Sequence, residues 1–192
     1  MNNQRIIGVD PGSEGCGMVV LDNGYIKAAF NLTNEQFYRK VTNYLLHPNC
    51  IVVIEDIRPY SVRLTMQVID TSKFIGEAVY RLKMEAGANV VLVTRSQVKM
   101  WCFNTFPDVC LPIIEKKISK KGYITASTGE ARKPSFVFVD DNVVTKCMQD
   151  LYKIPLPKAG KGYLYGLIKH SWQALSVASF YINSQSLMNE SG

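Results

Sequence analysis

No apolar run in this 192-residue chain approaches the ~20 residues that a membrane-spanning helix needs. The longest purely apolar strings, such as IVVI at 51–54, have the length of a buried strand. The opening MNNQRIIGVDPG carries no signal-peptide apolar stretch before its first Asp. The five cysteines (16, 50, 102, 110 and 147) form no Cys-x-x-Cys pair and are odd in number, which argues against a zinc site or a disulfide framework. They read as small buried hydrophobes in a reducing compartment. These absences together predict a cytoplasmic protein that neither enters nor crosses a membrane. There is also no internal repeat, no heptad and no low-complexity tract. With 8 Pro, 13 Gly and 47% apolar residues, the composition excludes a fibrous or disordered chain. A chain of this length can bury roughly 70% of its unfolded surface, so a single domain needs no covalent staple.

The charge is unevenly placed. Residues 113–169 hold 11 Lys and Arg against 5 Asp and Glu, whereas the remaining residues hold 11 against 11. The whole excess of +6 therefore lies in one stretch, which includes KKISKK at 116–121 and a Lys-rich segment interleaved with Tyr152, Tyr163 and Tyr165. Concentrated positive charge beside flat aromatic faces suits a polyanion, nucleic acid above all.

The patterning predicts an α/β domain. RIIGVD at 5–10 is a short apolar strand ending in the turn signal Asp-Pro-Gly. Two β-rich runs then flank Asn23-Gly24, a hairpin signal, so three antiparallel strands open the chain. Thr33 caps a helix to about Leu46, IVVIED at 51–56 is a buried strand, and a long helix runs from about Leu64 to Glu85. NVVLVT at 89–94 is another buried strand, followed by a short helix for which Ser96 is the expected cap. Residues 104–138, broken by Pro107, Pro112, Gly122, Gly129 and Pro134, read as an insertion or large loop with room for a small helix and hairpin of its own. Helices over about 142–152 and 167–183 complete the chain.

A right-handed crossover makes the first strand and IVVIED parallel. Asp10 and Glu55 then emerge side by side from the C-terminal ends of two core strands, where α/β sites form. Paired carboxylates repel, which raises one proton affinity or recruits a hard cation such as Mg²⁺ or Mn²⁺. His170 and Gln173, spaced i, i+3, share one face of the last helix.

Four segments in order, IIGVDPGSEGCGMVV, IVVIED, VTRSQVKMW and HSWQALSVA, resemble the RuvC family of Holliday-junction resolvases within the ribonuclease-H-like, retroviral-integrase-like superfamily. The resemblance spans roughly residues 4–103 and 140–182. It implies a ribonuclease-H-like mixed five-stranded sheet flanked by helices. It also implies a homodimeric, nucleoid-associated endonuclease that resolves four-way junctions by paired phosphodiester cleavage, with two divalent ions per site. In that scheme Asp10, Glu55 and His170 hold metal and, with Gln173, form the catalytic set. Gln173 departs from the pattern, because the family carries Asp there. The alternative is therefore a catalytically impaired protein of the same fold that binds branched DNA. Arg58 stands where the family often has an aromatic residue, with Tyr60 nearby, and both are candidates to stack on an exposed base. The lysines expected on the phosphate backbone are Lys99, Lys116, Lys117, Lys120, Lys121, Lys158, Lys161 and Lys169. The apolar stripe Val68, Phe74, Ile75, Ala78 and Leu82 on the long helix reads either as a dimer face or as packing on the sheet. An actin-like or sugar-kinase ATPase, which also opens with a strand, an acid and a Gly-rich hairpin, needs a second half that 192 residues do not supply.

Overall fold

The computed structural model describes residues 3–57, 65–121, 133–154 and 167–190, excepting the side chains of 120, 121 and 187–190. Five strands, β1 (Arg5–Asp10), β2 (Gly15–Asp22), β3 (Tyr25–Thr33), β4 (Cys50–Asp56) and β5 (Asn89–Thr94), form one mixed sheet in the order β3-β2-β1-β4-β5. The antiparallel pairs β1/β2 and β2/β3 come from the opening hairpins, and Asn23 and Gly24 both take positive φ at the turn. The parallel pairs β1/β4 and β4/β5 come from helical crossovers. This is the α/β architecture expected from the sequence.

Helices α1 (Asn34–Leu45) and α2 (Met66–Tyr80) cover one face of the sheet. Thr33 and Gln36 close a reciprocal capping box on α1. The stripe Phe74, Ile75, Ala78 and Leu82 is buried against the sheet in the same cluster as Ile7, Val9, Val52 and Ile54, so this part of the helix serves the molecule's own core. A π-helical turn over Arg81–Glu85 extends α2, and Gly87 at φ 63° turns the chain into β5.

The other face carries α3 (Arg95–Thr105), α4 (Pro107–Lys121), α5 (Asp141–Leu151) and α6 (His170–Glu190), with a 3-10 turn at Phe136–Phe138. Two expectations need correction. The cap of α3 is Thr94, whose hydroxyl accepts from Gln97 N while the Gln97 side chain reaches back to Thr94 N. The insertion read as a large loop with at most a small helix holds a continuous 15-residue helix, α4. Pro107 sits at its first position, where a missing N–H costs nothing, and Pro112 removes one hydrogen bond without ending it. Cys110, Ile114 and Ile118 on α4 supply the burial that outweighs that loss. All five cysteines are free thiols, and four of them are buried.

Helix α6 is buried on all sides from Ser171 to Ser179, which explains why it lacks a polar face. Its hydroxyls bond back to the helix's own carbonyls, Ser176 to Gln173 O at 2.7 Å and Ser179 to Leu175 O at 2.8 Å. It lies unusually close to the sheet. A Cβ on Gly8 would stand 2.2 Å from Ala174 O, and one on Gly17 would stand 2.2 Å from His170 O. Two strand glycines and the small residues of α6 thus let helix backbone rest on strand backbone.

Candidate active site

Strand alternation decides which side chains meet. On β1, Ile7 and Val9 join the core under α1 and α2, so Ile6, Gly8 and Asp10 face α6. On β4, Val52 and Ile54 face the α1/α2 side, so Val53 and Glu55 face α6. The parallel register pairs Val9 with Ile54, which leaves Asp10 and Glu55 as the next residue on each strand. Both carboxylates reach the same end of the sheet on the same face. Their side chains are only 5% and 4% exposed.

His170, the first residue of α6, places Nδ1 2.7 Å from Asp10 Oδ2. The hydrogen bond His170 donates to Asp10 raises the histidine's pKa, against the opposing effect of burial. Glu55 shifts further. Burial pushes its pKa up to about 7, the Arg95 guanidinium pulls it down, and the Asp10 charge adds to the rise.

Arg95 is the residue the sequence reading missed. As the first residue of α3 it directly follows β5, whose C-terminal end lies at the same sheet edge as those of β1 and β4. Its Nη1 is 3.0 Å from Glu55 Oε1 and 4.0 Å from Asp10 Oδ1, and its Nη2 donates to Asp141 Oδ1. Burial works against its charge, but Glu55, Asp141 and Asp10 outweigh burial and raise its pKa. The rule that α/β sites gather at strand C-terminal ends points to Arg95. Asp141, the first residue of α5, had no such signal, because an acid at a helix start is an ordinary capping choice.

Gln173 is buried near this centre, yet its Nε2 donates to the backbone carbonyl of Asp141 at 3.2 Å. It orients the start of α5 and adds no charge. Lys99, one turn along α3 from Arg95, is half-buried, and burial with the neighbouring Arg95 charge lowers its pKa. Lys117 reaches Asp140, the cap of α5, at 2.5 Å, whereas Lys116 and Lys169 are exposed. Lys169 and His170 stand between two clefts. One, of about 670 Å³, is lined by Ser13, Glu14, Thr33 and Gln67 among others. The second, of about 430 Å³, includes Asp141, Asn142 and Gln173. Arg58, Tyr60, Lys158 and Lys161, and the side chains of Lys120 and Lys121, lie outside the described residues.

Solved structures with this architecture include Thermus thermophilus RuvC, with a TM-score of 0.52 and 17% identity over 95% of this chain and 97% of that one. T. thermophilus RuvC in complex with a Holliday junction substrate gives 0.53 and 15% identity over 94% and 96%. The fold is RuvC-like. No protein-family model matches the chain, and no curated protein matches it either. The RuvC-like sheet therefore stands on architecture, and the chemistry has to be argued from the side chains.

Those side chains suit one hard divalent cation. Asp10 and Glu55 offer adjacent carboxyl oxygens on one sheet edge, and the Arg95 guanidinium lies where a cation would. Among the described residues, no three His, Cys, Asp or Glu side chains form a ready metal-binding group. Asp10 and Glu55 are the side chains that could hold such an ion, and His170 meets Asp10 through a hydrogen bond. No helix among the described residues is long and apolar enough to cross a membrane.

Proposed function

We propose that this chain is a divalent-metal-dependent endonuclease that cuts four-way DNA junctions. The observation that carries this reading is the pairing of buried Asp10 and Glu55 at the ends of adjacent parallel strands, with His170 on Asp10. It is supported by the likeness of nearly the whole chain to a RuvC structure bound to a Holliday junction substrate.

In this reading Asp10 and Glu55 hold the divalent ion, which would supply Lewis-acid stabilisation of charge on the phosphate. Asp10 holds His170 through Nδ1, so Nε2 is the ring position turned toward an attacking water. The hydrogen bond to Asp10 raises the His170 pKa, which favours a proton on that imidazole. Lys99, Lys116 and Lys169, with the lysines at 120, 121, 158 and 161, would engage the phosphate backbone. Arg58 or Tyr60 would stack at the branch point. Two copies of the centre in a homodimer would make paired cuts. Exposed Met66, Tyr80 and Met84, on α2 and its π-helical extension, offer an apolar surface for the second copy.

Gln173 favours a second reading, a junction-binding protein that does not cut, because its neutral amide is engaged with Asp141. A labelled four-way junction, compared with linear duplex in Mg²⁺ and in Mn²⁺, separates the two. Symmetric nicks by the chain as it stands, lost in Asp10→Asn with junction binding kept, support the nuclease. Cutting only by Gln173→Asp supports the binder. If neither protein prefers the junction, both readings fail.

A further inference from the structure

The centre contains a cation of its own. Arg95 Nη1 points at the inner pair, 3.0 Å from Glu55 and 4.0 Å from Asp10, while Nη2 holds Asp141. Two buried carboxylates on one sheet edge call for a positive partner, and the guanidinium lies against both. The guanidinium supplies that partner by using Glu55 Oε1, an oxygen that a hard cation would also need. The arginine is nonetheless free to withdraw. Its side chain is 42% exposed, its stem is long and flexible, and its outer anchor, Asp141, is 63% exposed at the start of a different helix. One end of the interaction is thus buried and shared with the metal seat, and the other is peripheral and independent of it.

We propose that Arg95 is a displaceable internal counter-ion, which holds the Asp10–Glu55 pair until a divalent cation enters and then retreats onto Asp141. The inference rests on the reading above that this pair takes a divalent cation. It deepens that reading by making metal affinity the outcome of a competition within the chain. It also gives Asp141 a role, that of receiving the displaced charge, which Gln173 reinforces by fixing the start of α5.

The test is Mn²⁺ binding to the full chain without DNA, followed by loss of the free-ion electron paramagnetic resonance signal, with circular dichroism to verify folding. Arg95→Gln should bind Mn²⁺ about tenfold more tightly than wild type, or better, equivalent to ~1.4 kcal/mol. Arg95→Lys keeps the competing charge and should stay within about threefold of wild type, or ~0.7 kcal/mol. Equal affinities in wild type and Arg95→Gln overturn the competition while leaving a metal-dependent nuclease intact. Weaker binding by Arg95→Gln also overturns it and makes the arginine a support of the seat. Absence of binding in every variant removes both the competition and the metal-dependent reading. If Arg95→Gln does not fold, the Nε–Hε resonance of Arg95 is followed in wild type during Mg²⁺ titration. A shift that saturates with the ion supports displacement, and a resonance that stays fixed while Mg²⁺ binds overturns it.

Discussion

Replacing Gly8 by Ala tests how α6 is seated, with no assumption about activity. The added methyl would lie 2.2 Å from Ala174 O, 2.8 Å from Ala178 Cβ and 3.0 Å from Ala178 N. Reaching ordinary contact at 3.4 Å requires a movement of about 1.2 Å, and the obstacles are mostly backbone. Strand β1 cannot recede, because it is hydrogen-bonded to β2 on one side and β4 on the other. Overpacking of this kind costs ~1–3 kcal/mol, and the double backbone clash places Gly8→Ala at the upper end. Reduced freedom of the unfolded chain returns only ~0.4–1 kcal/mol. The net expectation is a loss of ~2 kcal/mol, or a Tm lower by roughly 4–8 °C in a protein of this size. Gly76→Ala is the matched control, because it lies on the exposed side of α2 with nothing within 4 Å of the new methyl. It should stabilise by ~0.5–1 kcal/mol through helix propensity. Urea and thermal unfolding followed by circular dichroism measure both. A Gly8→Ala protein as stable as wild type would refute the close seating of α6 and, with it, the geometry that brings His170 to Asp10.

Three further outcomes follow from the same geometry. Glu55 has a folded-state pKa of about 7 against an ordinary 4.5, so its contribution to stability is present below about pH 4.5 and is lost as pH rises through 7. Glu55→Gln removes that dependence, and its Tm relative to wild type should be higher at about pH 8 than at about pH 5. A difference that does not change with pH would mean that the carboxyl is not held in the buried setting described. Thr94→Ala deletes the α3 cap beside Arg95 and should cost ~1 kcal/mol in urea unfolding, with an unchanged midpoint counting against the capping box. For junction binding, Lys116→Ala should reduce the log–log salt slope by ~0.9. Lys117→Ala should change it less, because Asp140 already neutralises that charge. Equal effects would show that the Lys117 ion pair opens when DNA binds.

The parts of the fold visible in the sequence were those with strong local signals. IVVI read as a buried strand from its length and β-branched content, and Asn23-Gly24 as a hairpin turn of the right twist. Asp10 and Glu55 were legible because each ends an apolar strand, and topology then brought the two ends together. The length of α4 was not legible because its two prolines and modest apolar content speak against a long helix locally, whereas its burial comes from packing with adjacent α3 and with α5 some twenty residues on. Arg95 was hidden by its neighbourhood. In TRSQVK it reads as a solvated helix start, and only the position of β5 beside β4 turns it into the centre. The basic stretch was legible as charge but not as surface, since Lys117 is held internally by an acid in the following helix.

The hydrogen bond between Asp10 and His170 joins residues 160 positions apart. During synthesis the two carboxylates therefore exist long before the helix that completes the centre. At ribosomal rates of ~5–20 residues per second, the interval from Glu55 to His170 is roughly 6–23 s. Throughout that time the nascent chain carries the acidic strand ends without the imidazole, and Gly8 and Gly17 wait uncovered for a helix that has not been made. Docking of α6 is consequently the step that brings the imidazole to the paired carboxylates.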